Sequence, residues 1–290
     1  MKANPPPRYD LGNCTVTLVS GGQFKLDGGA MFGLIPKALW ARSYPADDQN
    51  RILLACNCLL VERPGTDRRV LIEAGHGPKY TPKEQTIFAI DPADWLRPNL
   101  LELGVDPASI TDVVVSHLHF DHAGGLTHEA DGQLVRTFPR ACVHVHKPEL
   151  DDASANFGIM TATYRAENYS PLYAAEAWHV IEGATEIAAG IHTLPTPGHT
   201  RGHHSIIVQG SDRTLVFGGD LMPTRHHLGA AYNMAYDLYP LDNRASKRQL
   251  LTWLAERSGL YAFDHELETP VVSVRRKGEW FELTAESSDR

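Results

Sequence analysis

Four side chains able to bind a metal fall within six residues of this chain: His117, His119, Asp121 and His122, in the run VSHLHFDHAGG. Imidazole nitrogens and carboxylate oxygens are the atoms that zinc and its neighbours among the transition metals bind. His117 and His119 are two apart, so they project the same way if the preceding strand continues. Asp121 and His122 can then turn toward a second ion. A catalytic zinc takes about three protein ligands plus water. Four residues cannot supply two ions, so more ligands are required downstream. Three stand in suitable settings: His199 in TPGHT, Asp220 in FGGD and His265 in FDHE.

Strand ends must deliver these groups. TDVVVS reads as a buried strand running straight into HLHFDH. GIHTLPT, HSIIVQG and RTLVFGGD read as further strands, and the ligand candidates follow two of them. Earlier in the chain, CTVTLVSGG, RILLACNCLLVE and RRVLIEAG are β-rich, bounded by Gly, Pro and Asn. DPADWLRPNLLELGV is predicted helical, capped by Asp94 and stopped at Gly104, with Pro98 as a kink or as its true start. RACVHVH alternates as a strand. KPELDDASA through LYAAEAW is predicted largely helical, broken at Pro171. NRASKRQLLTWLAERSG is an amphipathic helix ending at Gly259. TPVVSVRR and EWFEL close the chain as a hairpin. No repeat or linker interrupts the 290 residues, so one domain over 1–290 is expected. The blocks of strands and helices fit an α/β or α+β class, with mixed sheets and helices outside.

Composition narrows the function. Hydrophobic residues make up 42% and charged residues 21%, an ordinary globular balance. The net charge is −8 without a basic stripe, which argues against nucleic acid as a partner. No apolar run is long enough to span a bilayer. The N-terminus carries three prolines and no secretory core, so a cytoplasmic protein is expected. Cys14, Cys56, Cys58 and Cys142 are too few and scattered for a disulfide framework, and Cys56 and Cys58 read as strand residues.

HLHFDH, TPGHT, GGDLMPT and FDHE, in this order, resemble the metallo-β-lactamase-fold hydrolases, from about residue 12 to residue 283. The resemblance implies an αβ/βα four-layer sandwich with the metal site at one edge of two facing sheets. It implies that His117, His119 and His199 hold a first metal, that Asp121, His122 and His265 hold a second, and that Asp220 bridges both. A bridging water would attack the substrate, with Asp121 as the catalytic proton acceptor. The two ions would be zinc, with Mn, Fe or Co as alternatives. A buried histidine is more often a satisfied core group than a ligand. Seven ligand-type residues in the family's order are poorly explained that way.

Other histidines receive other readings. His144 and His146 share a strand face and read as structural. His203 is placed behind the His199 loop, and His226 or His227 beside the pocket. His76, His128, His179 and His192 read as surface or packing residues. The family's early strand usually ends in an Asp-Thr-Gly turn; here Glu73 stands in IEAGH, able to support a ligand histidine with altered geometry.

The segment LDGGAMFGLIPKALW, with DLMPT and AYDLYP, is similar to quorum-quenching lactonases and their neighbours. That similarity implies opening of lactones such as N-acyl homoserine lactones, and a small-molecule lactone or ester as partner. Met31, Phe32, Phe120, Met222 and His226 are the expected substrate contacts, and the apolar N-terminal segment suits a homodimer contact. Some relatives carry a tyrosine three residues after the bridging aspartate; here Pro223 stands there, and Tyr232, Tyr236 and His226 are the candidate replacements. An organophosphate or aryl-ester hydrolase is the alternative enzyme, followed by a thioesterase. A non-catalytic metal-binding module is the alternative outside catalysis.

Overall fold

The computed structural model describes residues 6–156 and 162–288. Two seven-stranded sheets dominate it. The first contains β1 (Arg8–Asp10), β2 (Thr15–Asp27), β3 (Arg51–Glu62), β4 (Arg69–Ile72), β5 (Asp112–Val114), β8 (Cys142–His146) and β9 (Trp178–Ile181), in that spatial order. Its first four strands run antiparallel, and β4, β5, β8 and β9 run parallel. A small hairpin of β6 (Thr127–Ala130) and β7 (Gln133–Arg136) stands apart. The second sheet follows chain order: β10 (Thr185–Ala188), β11 (Ile191–Pro195), β12 (His204–Gln209), β13 (Thr214–Phe217), β14 (Leu260–Ala262), β15 (Val271–Lys277) and β16 (Trp280–Ala285). Only β13 and β14 pair in parallel, because the crossover between them is a long helix.

The apolar faces show why these layers stack. Val16, Leu59, Val70 and Val114 of the first sheet meet Ile206, Val208, Phe217 and Leu260 of the second. Each such side chain removed from water contributes about 1.5–3 kcal/mol. On the far side of the first sheet, Val113 and Val143 pack against Leu96 and Leu100 of a helix over Leu96–Glu102 and Leu150 of one over Lys147–Ala155. On the far side of the second, Val216, Tyr261 and Val272 pack against Leu250, Leu251 and Leu254 of Pro240–Ala255. Helix, sheet, sheet, helix is the expected sandwich. Sheets covered on both faces need strands buried almost throughout, and β3 is buried at nine of its twelve residues.

Two helix expectations change. The helix predicted from Asp94 starts at Leu96, after an extended Trp95. Asp94 accepts a bond from the Asn99 side-chain amide instead. Pro98 lies in the first turn, where its missing N–H costs nothing. Among the described residues, the stretch after Lys147 holds two helices, Lys147–Ala155 and Ser170–Ala174, and Pro171 opens the second. Turns occupy 162–169, apart from one short 3-10 segment at Ala166–Asn168; the intervening 157–161 lie outside the described residues. Among the described residues, no helix is long and apolar enough to cross a membrane.

Candidate metal centre

The ligand motif leaves the sheet at the end of β5. Val113, Val114 and Val115 are fully buried, and the chain then turns through Ser116–His119 into a one-turn helix, Phe120–Ala123. Backbone bonds tie this turn to the extension of β4: the Ala74 amide donates to the His122 carbonyl at 2.8 Å and the Gly125 amide to the Gly75 carbonyl at 3.1 Å. Downstream strands converge on the same edge. β11 leads to His199, β13 to Asp220 and β14 to His265.

Two groups of buried ligand-type side chains result. In one, His117, His119, His199 and Asp220 each bring an atom within 4.8 Å of the others; in the other, His122, Asp220, Asp264 and His265 do the same. Asp220 belongs to both. Its Oδ2 lies 2.9 Å from His199 Nε2, 3.7 Å from His117 Nε2 and 3.6 Å from His122 Nε2, and its Oδ1 lies 3.2 Å from His265 Nε2. Asp121 Oδ2 stands 3.5 Å from His265 Nε2 and 3.8 Å from His122 Nε2. The seven residues marked in the sequence are therefore brought together. Asp264 joins them unannounced, its Oδ2 3.5 Å from His265 Nε2. Its only sequence signal was adjacency to His265 at a strand end.

Donor chemistry and hydrogen bonding fit divalent metal. His117 Nε2, His122 Nε2, Asp220 Oδ1 and Asp264 Oδ2 are buried and make no hydrogen bond. Buried polar atoms are normally partnered, so several orphans converging on one place imply a cation. The outward nitrogens, by contrast, are tied. His265 Nδ1 donates to the Ala55 carbonyl at 2.7 Å, and His199 Nδ1 lies 3.0 Å from Asp237 Oδ1. His122 Nδ1 faces Glu73 Oε2 at 3.3 Å as a charge contact without a hydrogen bond, while Glu73 Oε1 accepts from the Ser116 amide at 2.8 Å. Such outer bonds fix the tautomer that leaves a lone pair for metal. Glu73 stands behind His122 on a left-handed backbone, φ 68°, a strained conformation of the kind that collects at functional sites.

Electrostatics agree. Burial, with the facing imidazoles, holds His117 and His119 well below the ordinary histidine range, so both are neutral donors. Burial works the same way on His199, but Asp220 and Asp237 outweigh it and carry His199 up to about 10. Burial and the neighbouring Asp220 push Asp264 well up. Asp121, Asp220, Asp264 and Glu73 crowd four carboxyl groups into a buried space, which demands positive charge.

Glu149 joins the two ligand-bearing loops. It is fully buried, accepts from the Leu118 amide at 2.9 Å and from the Thr200 hydroxyl at 2.6 Å, and receives the Tyr164 hydroxyl at 2.8 Å. Glu149 carried no local signal in the sequence, and Asp237 stood within AYDLYP with no role assigned to it. Each lies far along the chain from the histidines it serves.

A cavity of about 330 Å³ opens over the centre, lined by His119, Asp121, His199, Asp220 and His265 below and by Leu26, Met31, Phe88, Phe120, Met234, Tyr236 and Leu238 around it. Met31 and Phe120 thus reach the cavity as expected. Phe32, Met222 and His226 are not among its lining residues. Phe32 is stacked between Trp40 and His227, with ring centroids 5.4 and 4.7 Å away. Met222 is fully buried in the core that holds Leu250 and Leu254. His226 packs edge-on against Tyr44. His203 Nδ1 bonds Thr196 at the base of the His199 loop. His76, read as surface or packing, is fully packed beside Phe24 and Tyr80.

The metallo-beta-lactamase superfamily model matches residues 51–265, which holds every residue of the centre. The chain belongs to this superfamily. It is 31% identical over 116 residues to an N-acyl homoserine lactonase of Bacillus sp, covering 38% of this chain and 37% of that one. The chain spans 37% to 62% of the length of the curated relatives it matches first. A solved structure of a probable metal-dependent hydrolase from Staphylococcus aureus superposes with TM-score 0.86 at 27% identity, covering 97% of this chain and all (100%) of that one. AidC, a dizinc quorum-quenching lactonase solved with a product, shares the fold at TM-score 0.80 and 18% identity, covering 99% of each chain.

Proposed function

We propose that this superfamily member is a hydrolase with two divalent ions, zinc in the first instance, that opens lactones of the N-acyl homoserine type. The observation that carries this reading is the apolar-walled cavity seated on two ligand groups that share Asp220. His117, His119 and His199 would hold one ion, His122, His265 and Asp121 or Asp264 the other, and Asp220 both. Bound there, the ions supply Lewis-acid polarisation of the carbonyl and acidify a water. The chain's own groups do the rest. Asp121, at the cavity floor, accepts the proton of the attacking water. Tyr236, the tyrosine among the cavity-lining residues, takes the place of the missing donor at Pro223 and donates to the carbonyl oxygen. Met31, Phe88, Phe120, Met234 and Leu238 hold an acyl chain and exclude water.

Two kinds of relative support the lactone: the Bacillus lactonase by sequence and the dizinc lactonase by fold. Pro223 favours the second reading, a hydrolase of aryl esters or phosphotriesters, which have better leaving groups and need less help at the carbonyl. Steady-state hydrolysis by zinc-loaded protein separates them, using acyl homoserine lactones of rising chain length, a phenyl ester and a nitrophenyl phosphotriester. For the lactone reading, kcat/KM rises about 4-fold per added methylene until the cavity is full, as expected from about 0.8 kcal/mol per buried CH2. Negligible lactone turnover beside fast ester or phosphotriester turnover moves the protein to the second reading.

A further inference from the structure

We propose that Cys142, His144 and His179 form a further metal site, apart from the paired centre, that takes a borderline-soft divalent ion of the zinc class.

Strand geometry assembles it. Cys142 and His144 are two apart on β8 and so share a face. His179 on β9 is the register partner of His144 in the parallel pairing. β9 is the edge strand of its sheet, so this face opens to solvent at His179. The two imidazole centroids are 4.9 Å apart. One ligating atom from each of the three residues lies within 4.8 Å of the other two. A tetrahedral zinc with ordinary Zn–N and Zn–S lengths needs about 3.4–3.6 Å between ligand atoms. A small rotation of the exposed His179 ring closes that gap.

A second observation points to a ligand. His144 is buried, and its Nε2 lies 2.9 Å from Asp112 Oδ1. That carboxylate is itself held from both sides: Arg68 donates Nε at 3.1 Å and a terminal nitrogen at 2.6 Å, and the Thr111 hydroxyl donates at 2.7 Å. An acceptor so fixed places the histidine proton on Nε2. Nδ1 is left with its lone pair, buried and without a hydrogen-bond partner. Carboxylate, histidine, metal is the arrangement by which proteins orient ligand imidazoles. The Cys142 thiol is raised by burial and by Asp112, and Arg136 and Arg68 oppose that. Metal binding releases its proton to solvent and leaves the thiolate as the soft ligand. Water completes the coordination on the open side.

The site is distinct from the paired centre. Cys142 is level with Asp112 and His144 with Val114 on β5, five and three residues before His117, or about 16 and 10 Å along an extended chain. A bound ion there would clasp the edge strand β9 to β8.

Cobalt tests this, because thiolate–Co2+ charge transfer absorbs in the near ultraviolet and imidazole or carboxylate ligands give no such band. The metal-free protein titrated with Co2+ should take a third equivalent whose binding raises a thiolate band. Cys142→Ser should abolish that band and the third equivalent, while the lactone or ester turnover of the zinc-loaded protein stays unchanged. His179→Ala, at an exposed position that folding tolerates, should weaken the third equivalent at least 10-fold. Two equivalents with no thiolate band overturn the proposal, as does a band that survives in Cys142→Ser. If Cys142→Ser does not fold, His179→Ala decides: undiminished third-site affinity overturns the site.

Discussion

Asp237 Oδ1 lies 3.0 Å from His199 Nδ1, and its other oxygen accepts from the Asn233 side chain at 2.9 Å and the Met234 amide at 3.1 Å. One carboxylate thus fixes both a ligand imidazole and the loop that walls the cavity. Removing such an outer partner typically costs 10- to 100-fold in metal affinity, on the order of what is expected for Asp237→Ala. Competitive chelator titration reads it directly. An unchanged affinity would mean that packing alone orients His199. Asp237→Asn, which keeps an acceptor oxygen, should fall between the two.

Metal removal and Asp121 separate binding from proton transfer. Prolonged dialysis against a chelator should abolish turnover, and added zinc or cobalt should restore it. Asp121→Asn keeps the shape of the side chain but cannot take a proton, so kcat should fall by about 10²–10⁴-fold. Metal analysis of the same sample decides the interpretation. Full metal content with low kcat assigns Asp121 to proton transfer, and lost metal assigns it to ligation alone.

The ligand set was legible because the chemistry is local: HLHFDH concentrates four groups in six residues, strand-like runs precede His199 and Asp220, and FDHE completes the family's order. What could not be read is contact across the fold. Glu149 and Asp237 reach the site from 51 and 38 residues away from Thr200 and His199 respectively, and no periodicity reports such a meeting. Phe32 was expected at the substrate, with Met31, because LDGGAMFGLIPKALW is similar to the lactonase segment, yet neighbours on a short helical turn face different ways. Met31 lines the cavity, whereas Phe32 stacks into the core against Trp40. Asp94 was read as a helix cap from residue type alone. The extended Trp95 takes the cap position, so the helix starts one residue later, at Leu96. The layer architecture followed from strand patterning plus family resemblance; patterning by itself reaches only a mixed α/β class.

Gly75 tests how tightly the extension of β4, which carries the metal loop, is seated on β2. Its backbone is left-handed, φ 68°, and an added Cβ would stand 2.5 Å from the Gly21 carbonyl oxygen and 2.7 Å from the Gly21 Cα. Both atoms are backbone and cannot step aside. Gly75→Ala should therefore lose roughly 1–3 kcal/mol through steric clash, beyond about 1 kcal/mol for the left-handed conformation. Gly65→Ala is the control: its φ is 79° but nothing lies within 4 Å. Denaturant unfolding should show the larger loss at Gly75. Equal losses would mean that the loop accommodates the methyl group.

Tyr236 offers the sharpest pH test of the proposed chemistry. Burial raises its hydroxyl, with Asp27, Asp121 and Asp220 adding to the effect, up to about 12. A phenol donates a hydrogen bond only while protonated, and an ordinary tyrosine ionises near about 10. Because the shift is upward, the donor survives well into the alkaline range and is lost only as pH approaches about 12. Tyr236→Phe should lower kcat/KM by about 10- to 100-fold, smaller than the largest losses at oxyanion donors because metal shares the task. The ratio of wild-type to Tyr236→Phe rates should stay flat through the ordinary tyrosine ionisation near about pH 10. A ratio that halves near pH 10 would mean a tyrosine with an ordinary ionisation. A ratio near one at every pH would remove Tyr236 from the reaction and leave carbonyl polarisation to the metals alone.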